Sequence, residues 1–254
     1  MSRLNFILAG VIALVAAAST APAQAATPSC AVHGRTIAHL SHSQVVSTSG
    51  ALVVYRVRGS QWDTLWACER GSRARSLVGR DDSFQSDGEY SPSLIVSNIH
   101  LAGPWVLATI ETGADSYDAC TKYAEPEAPP CIGPEESLEL VNAATPARLD
   151  ISRIVLNSTT ASGSSVATQW LRTALSPIGA VAWLTSVSTT PAGSASSSAA
   201  INTLWGCRVG GSAKSTSCPA TTLASGAVAP DSLAFSGATL SWTLGGQPHS
   251  AALT

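Results

Sequence analysis

The segment 81–89 carries oxygen ligands and a turn glycine of the kinds that calcium sites use. Its four carboxylates belong to Asp81, Asp82, Asp87 and Glu89. Gly88 permits a sharp turn between the last two, and calcium prefers hard oxygen ligands of this kind. Phe84, however, stands where an alternating calcium loop needs another oxygen. The segment therefore predicts either a calcium site formed by these four acids or a solvated polar loop.

Other residue types that perform catalysis form no recognisable motif. Acids that could serve as a general acid and base are spread along the chain at Asp63, Asp115, Asp118 and Asp150, and their spacing selects no pair. A nucleophile elbow of the Gly-x-Ser-x-Gly type is approached only at 163–167, where alanine replaces the closing glycine. Phosphate-binding loops and zinc motifs are absent from the sequence. We therefore predict no catalytic residues and no cofactor, with calcium as the one candidate ion.

Two of the seven tryptophans are candidates for ligand binding. Five of them recur at strand positions of an internal repeat, which predicts packing in a core: Trp66, Trp105, Trp183, Trp205 and Trp242. Trp62 and Trp170 fall outside the aligned strands. These two are the candidate binding residues, for example if a sugar ring stacks on their indole rings.

The internal repeat is a glycine followed at once by an apolar strand. It begins at Gly50, Gly103, Gly179 and Gly237. After the first three glycines comes a second strand that ends in cysteine, at 64–68, 116–120 and 203–207, and two of these read Thr-Leu-Trp-x-Cys. A third strand follows, and a fourth approaches the next glycine. The pattern therefore predicts four strands in each unit.

Units of four short strands with glycine turns and aromatic residues in phase are typical of β-propeller blades. Inner blade strands are covered on both faces, which explains apolar runs such as 51–55. We expect an all-β fold, a propeller-like array of about four four-stranded blades, with a β-sandwich as the alternative. The predicted quasi-repeats lie near 50–102, 103–178, 179–236 and 237–254 plus 30–49. The last unit lacks a fourth strand, which 35–40 could supply to close the ring, and 165–174 is the one passable helix candidate.

The six cysteines are expected to form three disulfides. Cys120 and Cys131 are 11 residues apart, as are Cys207 and Cys218, and each pair starts at the same place in the repeat. Elimination then pairs Cys30 with Cys68 and ties the N-terminal segment to the first unit. The remaining alternatives are the other pairings that six cysteines allow.

The N-terminal residues predict export. A basic start precedes the apolar run 4–18 and a small-x-small site that ends at Ala25, so 1–25 reads as a cleaved signal peptide and 26–254 as a single domain. A retained anchor is the alternative, but the run is shorter than the roughly 20 residues that span a bilayer. We expect a secreted or extracellular protein without stable membrane insertion after cleavage.

Charge excludes one class of partner. With 14 basic and 16 acidic residues the net charge is −2, so the sequence carries no nucleic-acid footprint. The charges are uneven: 35–80 holds seven arginines and two acids, whereas 81–139 holds 12 acids and one lysine. We expect a protein or a glycan as partner.

The four glycine units, the Trp-x-Cys strands and the C-terminal stretch 232–243 resemble a group of uncharacterised secreted bacterial proteins with propeller-like repeats, distantly similar to TolB-type propellers. The resemblance implies a fold and brings no catalytic or binding residues. We expect an exported, non-enzymatic binding or interaction module of unknown ligand. The alternatives are an extracellular glycan hydrolase or lyase with a carboxylate or calcium site, and a purely structural envelope protein.

Overall fold

The computed structural model describes residues 30–32, 35–36, 43–60, 62–72, 74–81, 94–112, 134–145, 148–160, 162–210 and 218–254. Regular structure in these residues is β throughout, apart from one 3-10 turn at Pro230–Ser232. The predicted all-β class is confirmed. Within the described part of the chain, no helix has the length and apolar character that crossing a membrane requires.

Four antiparallel sheets follow one another along the chain. The first contains β3 (Ser43–Ser49), β4 (Leu52–Val57), β5 (Asp63–Glu69) and β6 (Ser76–Asp81). The second contains β7 (Leu94–Ala102), β8 (Trp105–Thr112), β9 (Glu135–Asn142) and β10 (Arg148–Val155). The third contains β11 (Asn157–Thr159), β12 (Ser165–Leu175), β13 (Ala180–Thr190), β14 (Ile201–Arg208) and β15 (Thr221–Ser225). The fourth contains β16 (Ala234–Ser236), β17 (Thr239–Leu244) and β18 (Gln247–Ala252), and a separate hairpin pairs β1 (Ala31–Val32) with β2 (Arg35–Thr36).

Every sheet is a meander in which each strand pairs with the next strand of the chain. The glycines that mark the predicted units lie in hairpins and all have a positive φ: Gly50, Gly103, Gly179 and Gly237. Glycine adopts this backbone conformation without the steric cost that other residues incur. In the first, second and fourth sheets the glycine lies in the first hairpin, whereas in the third sheet β11 precedes that hairpin and Gly179 lies in the second.

Consecutive sheets pack face to face because side chains alternate along their strands. Leu107 packs toward the third sheet, whereas its neighbour Ala108 packs toward the first. Trp183 likewise faces the second sheet, and Leu184 faces the fourth. Among the described residues, the hydrophobic clusters join only sheets that follow one another in the chain. The two middle sheets are thus apolar on both faces, as the continuous apolar runs predicted.

Two glycine hairpins also make close contact between neighbouring sheets. A Cβ atom placed on Gly103 would lie 2.6 Å from the carbonyl oxygen of Pro177, and one on Gly179 would lie 2.7 Å from the Trp105 ring. The hydroxyl of Ser176 donates a 2.6 Å hydrogen bond to the carbonyl of Gly237 in the next hairpin. At this end of the array, the turns of successive sheets therefore contact each other directly.

Three strand predictions need correction. The strand paired with β8 along its whole length is β9, not the cysteine-ended segment 116–120, which lies outside the described residues. The helix candidate at 165–174 is the long strand β12, whose β-branched residues suit a sheet. Arg35 and Thr36 pair with β1 instead of with the fourth sheet, and 37–40 lie outside the described residues.

Two of the predicted disulfides are confirmed. Cys30 bonds Cys68, and Cys207 bonds Cys218. The first bond is fully buried on the outer face of the first sheet, where Val53 and Tyr55 pack around it. The predicted bond between 120 and 131 lies outside the described residues.

His100 should make folding stability depend on pH. Its imidazole is half-buried on β7, and burial together with the nearby Arg172 guanidinium lowers the pKa of His100 below 6.5. The unfolded chain therefore binds a proton more readily than the folded chain, so stability falls as the pH drops below about 6.5 and levels off below the folded pKa. Urea unfolding between pH 5 and 7.5 should show this loss, and His100→Gln should reduce it. An unchanged slope in the variant would contradict the prediction.

Candidate ligand-binding cleft

The predicted calcium residues are only partly visible. Asp81 is the last residue of β6, whereas 82, 87 and 89 lie outside the described residues. The Asp81 carboxylate is buried and accepts a 3.0 Å hydrogen bond from Arg56. Within the described ranges, no group of three or more His, Cys, Asp or Glu side chains is placed to hold a metal ion. The calcium site therefore stays a prediction from sequence.

Arg56 neutralises a carboxylate pair at the end of the first sheet. Asp63 and Asp81 are direct cross-strand neighbours on β5 and β6, and both are almost fully buried. Arg56 contacts Asp81 at 3.0 Å and Asp63 at 3.7 Å. The amide of Gly59 donates a further 3.2 Å hydrogen bond to Asp63. Because buried carboxylates must be paired, this network reads as structural.

The two tryptophans nominated from sequence lie in different places. Trp62 is 37 % exposed, and the guanidinium of Arg80 lies 4.8 Å from its ring centre. Trp170 packs into the cluster between the second and third sheets. The structure therefore does not bring the two side chains into one surface.

A cavity bordered by Arg80, which we name the arginine cleft, opens between the first and second sheets and has a volume of about 370 Å³. Its apolar lining comes from Leu77, Leu94 and Ile110. Its charged lining comes from Arg80 on the first sheet and from Glu135, Glu139, Arg148 and Arg153 on the second. Thr112 and Ser137 add hydroxyl groups. A volume of this size is in the range of sites for small molecules.

Strand alternation and two β-bulges decide which side chains border the cleft. Glu135, Ser137 and Glu139 are alternate residues of β9 and so share one face. The pairing of β6 leaves one extra residue between Leu77 and Gly79, which puts Leu77 and Arg80 on the same face although they are three apart. Both residues border the cleft from β6, the edge strand of the first sheet. A second bulge, between Asp150 and Ser152 on β10, puts Arg148 and Arg153 on one face although they are five residues apart.

Two arginines of the cleft are held by carboxylates. Arg148 donates from Nε to Oε2 of Glu139 at 3.0 Å and from Nη2 to Oε1 at 3.2 Å, a bidentate pair whose carboxylate is buried. Arg153 donates to Asp150, and this hydrogen bond raises the pKa of Arg153. Both arginines are therefore paired with carboxylates of the second sheet.

Arg80 and Glu135 are left without close partners of their own. In the part of the chain that the structure describes, Arg80 stacks on Trp62 and has no carboxylate within ion-pair distance. Glu135 meets only Arg153, at 4.0 Å, and its side chain is 47 % exposed. These two charges stand on opposite walls of the cleft and do not pair with each other. The cleft thus offers one cationic and one anionic contact above an apolar floor.

Sequence reasoning missed most of this cleft. It named Trp62, which contacts Arg80, but none of the five charged residues of the lining, because their meeting depends on the packing of two sheets and on bulges. It also missed Glu111 and Glu136, which are direct cross-strand neighbours on β8 and β9. Burial and the Glu111 charge raise the pKa of Glu136. The alternation of polar and apolar residues over 137–140 was the one available signal.

The pair of Arg148 and Glu139 should behave as one unit in unfolding experiments. Arg148→Met leaves a buried carboxylate without its partner and should lower the free energy of unfolding by about 2 kcal/mol, less than for a fully buried pair because Arg148 is 42 % exposed. Glu139→Leu combined with Arg148→Met should recover most of this loss. Urea unfolding at neutral pH measures both. Additive losses in the double variant would contradict the pairing.

Comparison with known proteins leaves the functional assignment to the residues of the cleft. The chain matches no protein-family model, no curated protein and no solved structure.

Proposed function

We propose that this chain is an exported, propeller-like module that binds a small ligand in the arginine cleft. The observation that carries the proposal is the placement of Arg80 and Glu135 on opposite walls beside an apolar lining, where neither has a close partner among the described residues. Recognition sites combine an apolar lining with a few placed polar groups in this way. The remaining charged groups of the cleft are tied in ion pairs that hold its walls.

The fold and the disulfides support the rest of the proposal. Four meander sheets that pack on one another in chain order are the building plan of propeller blades. Two buried or half-buried disulfides fit an oxidising compartment outside the cytosol, in agreement with the export signal predicted at 1–25. A rigid array of this kind suits a binding protein because it needs no moving parts to present a preformed cleft.

Thermal unfolding with a panel of small molecules tests the binding function. The panel holds neutral, anionic, cationic and zwitterionic compounds, and the chain is compared with its Arg80→Gln variant. A ligand at 100 times its Kd stabilises by about 2.7 kcal/mol, which is a Tm rise of several degrees for a domain of this length. At least one compound should raise the Tm of the wild type and not of the variant. A panel without such a compound would overturn the proposal.

The glycan hydrolase alternative retains one observation in its favour. Glu111 and Glu136 are cross-strand neighbours, and the raised pKa of Glu136 is what a general acid requires. The release of reducing sugar from a panel of polysaccharides, lost in Glu136→Gln and kept in Arg80→Gln, would favour an enzyme. If the wild type releases no reducing sugar from any polysaccharide of the panel, binding remains the proposed function.

A further inference from the structure

The arginine cleft holds two opposite charges that make no close ion pair within the described residues. Arg80 comes from β6 of the first sheet and Glu135 from β9 of the second, so the charges stand on separate walls. Every other charged side chain of the lining has a partner on its own sheet: Arg148 pairs with Glu139, and Arg153 with Asp150. A ligand that bridges the two walls would satisfy both remaining charges at once.

Arg80 is suited to bind a carboxylate. The central carbon of its guanidinium lies 4.8 Å from the centre of the Trp62 ring, which is a cation–π contact. Planar guanidinium groups recognise carboxylates through two parallel hydrogen bonds. Among the described residues, no carboxylate lies within ion-pair distance of Arg80.

Glu135 is suited to the opposite charge. It lies at the start of β9, its side chain is half exposed, and its nearest cation is Arg153 at 4.0 Å. Arg153 is already engaged by Asp150 through a hydrogen bond. An ammonium group that approaches Glu135 in the cleft would therefore compete only with this long 4.0 Å contact to Arg153.

The floor between these charges is apolar. Leu77, Leu94 and Ile110 line it, and Ile110 belongs to the cluster that joins the two sheets. Branched aliphatic groups of a ligand would bury their surface here at the usual gain for apolar area. The volume of about 370 Å³ exceeds that of a single small side chain and suits a ligand with one or two such groups.

We propose that the arginine cleft binds a short zwitterionic peptide with aliphatic side chains, whose terminal carboxylate contacts Arg80 and whose terminal ammonium contacts Glu135. The proposal rests on the proposed function, since it names the ligand class of the same cleft. A neutral sugar would leave both charges unsatisfied, and a simple anion would satisfy only one. Neither fits the two walls together.

Isothermal titration calorimetry with three peptides tests the assignment on the full exported chain. The probes are Leu-Leu, N-acetyl-Leu-Leu, which lacks the ammonium, and Leu-Leu-amide, which lacks the carboxylate. Leu-Leu should bind, and each blocked peptide should bind about tenfold or more weakly, as expected for the loss of a charge-assisted hydrogen bond.

Two variants then assign each terminus to its wall. The Arg80→Gln variant should bind Leu-Leu about tenfold more weakly than the wild type. Amidation of the peptide should not change its affinity for this variant any further, whereas acetylation of the peptide should still lower that affinity. Glu135→Gln should show the reverse. Arg208→Gln removes one positive charge from β14, outside the cleft, and should leave all three affinities unchanged. Unchanged Tm values without ligand show that the variants are folded.

The outcomes separate this proposal from the general binding function. If Leu-Leu does not bind while another compound raises the Tm only when Arg80 is present, the cleft is a binding site and the zwitterion assignment is wrong. If Leu-Leu binds equally well to both variants, or equally well when blocked, the assignment is also overturned. If no compound depends on Arg80, both proposals fail.

Discussion

Replacement of Gly179 by alanine is expected to lower the free energy of unfolding by about 3 kcal/mol. Two costs add at this position. Its φ of +79° disfavours any residue with a Cβ, and that Cβ would lie 2.7 Å from Cε2 of Trp105. Trp105 packs in the cluster between the second and third sheets, so its ring has little room to move. Urea unfolding of the variant measures the loss.

Gly50 supplies the matched control for this prediction. It occupies the equivalent hairpin of the first sheet with a φ of +57°, and its Cβ would meet nothing within 4 Å. Gly50→Ala should therefore cost only the backbone term, about 1 kcal/mol. Equal losses at the two positions would show that the third-sheet hairpin does not press on Trp105, and the face-to-face packing of the two sheets would be wrong.

Removal of the disulfide between Cys30 and Cys68 is expected to have the other large effect. The bond closes a loop of 38 residues, for which the chain-entropy model gives about 4 kcal/mol of stabilisation. The double variant Cys30→Ala with Cys68→Ala should lose this amount in chemical unfolding. Exchange of the β4 amides should also rise, because the N-terminal segment would no longer be tied over Val53 and Tyr55.

The disulfide between Cys207 and Cys218 supplies the matched control for this prediction. Cys207 and Cys218 close a loop of only 11 residues, so Cys207→Ala with Cys218→Ala should cost somewhat less, about 3 kcal/mol. This variant should leave exchange in β4 unchanged, since the third sheet does not contact that face. A larger loss for the short loop than for the long one would contradict the role assigned to the N-terminal bond.

The hairpins were predictable from the repeated glycines because the preference for glycine in such a turn depends only on the local backbone conformation. A positive φ favours glycine whatever surrounds it, so Gly50, Gly103, Gly179 and Gly237 could be recognised from sequence alone. The two disulfides followed from their places in the repeat for the same reason. The continuous apolar runs predicted strands covered on both faces, and the clusters on either side of β8 and β13 agree.

The partner of β8 was not predictable in this way. The cysteine at 120 matched the repeat, but β9 bonds β8 from Trp105 to Thr112 and leaves 116–120 in the intervening segment. Residues 137–140 alternate polar with apolar side chains, whereas the other second strands are mostly apolar. That alternation exists because one face of β9 lines the arginine cleft and the other packs on the third sheet.

The arginine cleft depends on long-range geometry that the sequence does not display. Arg80 and Glu135 are 55 residues apart, and they approach only because the first two sheets pack together. The bulge beside Gly79 decides which face Arg80 takes, and an alternation count without the bulge would place it opposite Leu77. Trp62 could be singled out because it stands outside the repeat, but its role beside Arg80 could not.

Amide hydrogen exchange with the most stabilising compound of the panel tests the central claim most directly, namely that the cleft between the first two sheets is the ligand site. We expect slower exchange in peptides that cover β6, the end of β8 and the start of β9, with β13 to β18 unchanged. Protection confined to the third or fourth sheet, or no protection at saturating ligand, would contradict the assignment of the arginine cleft.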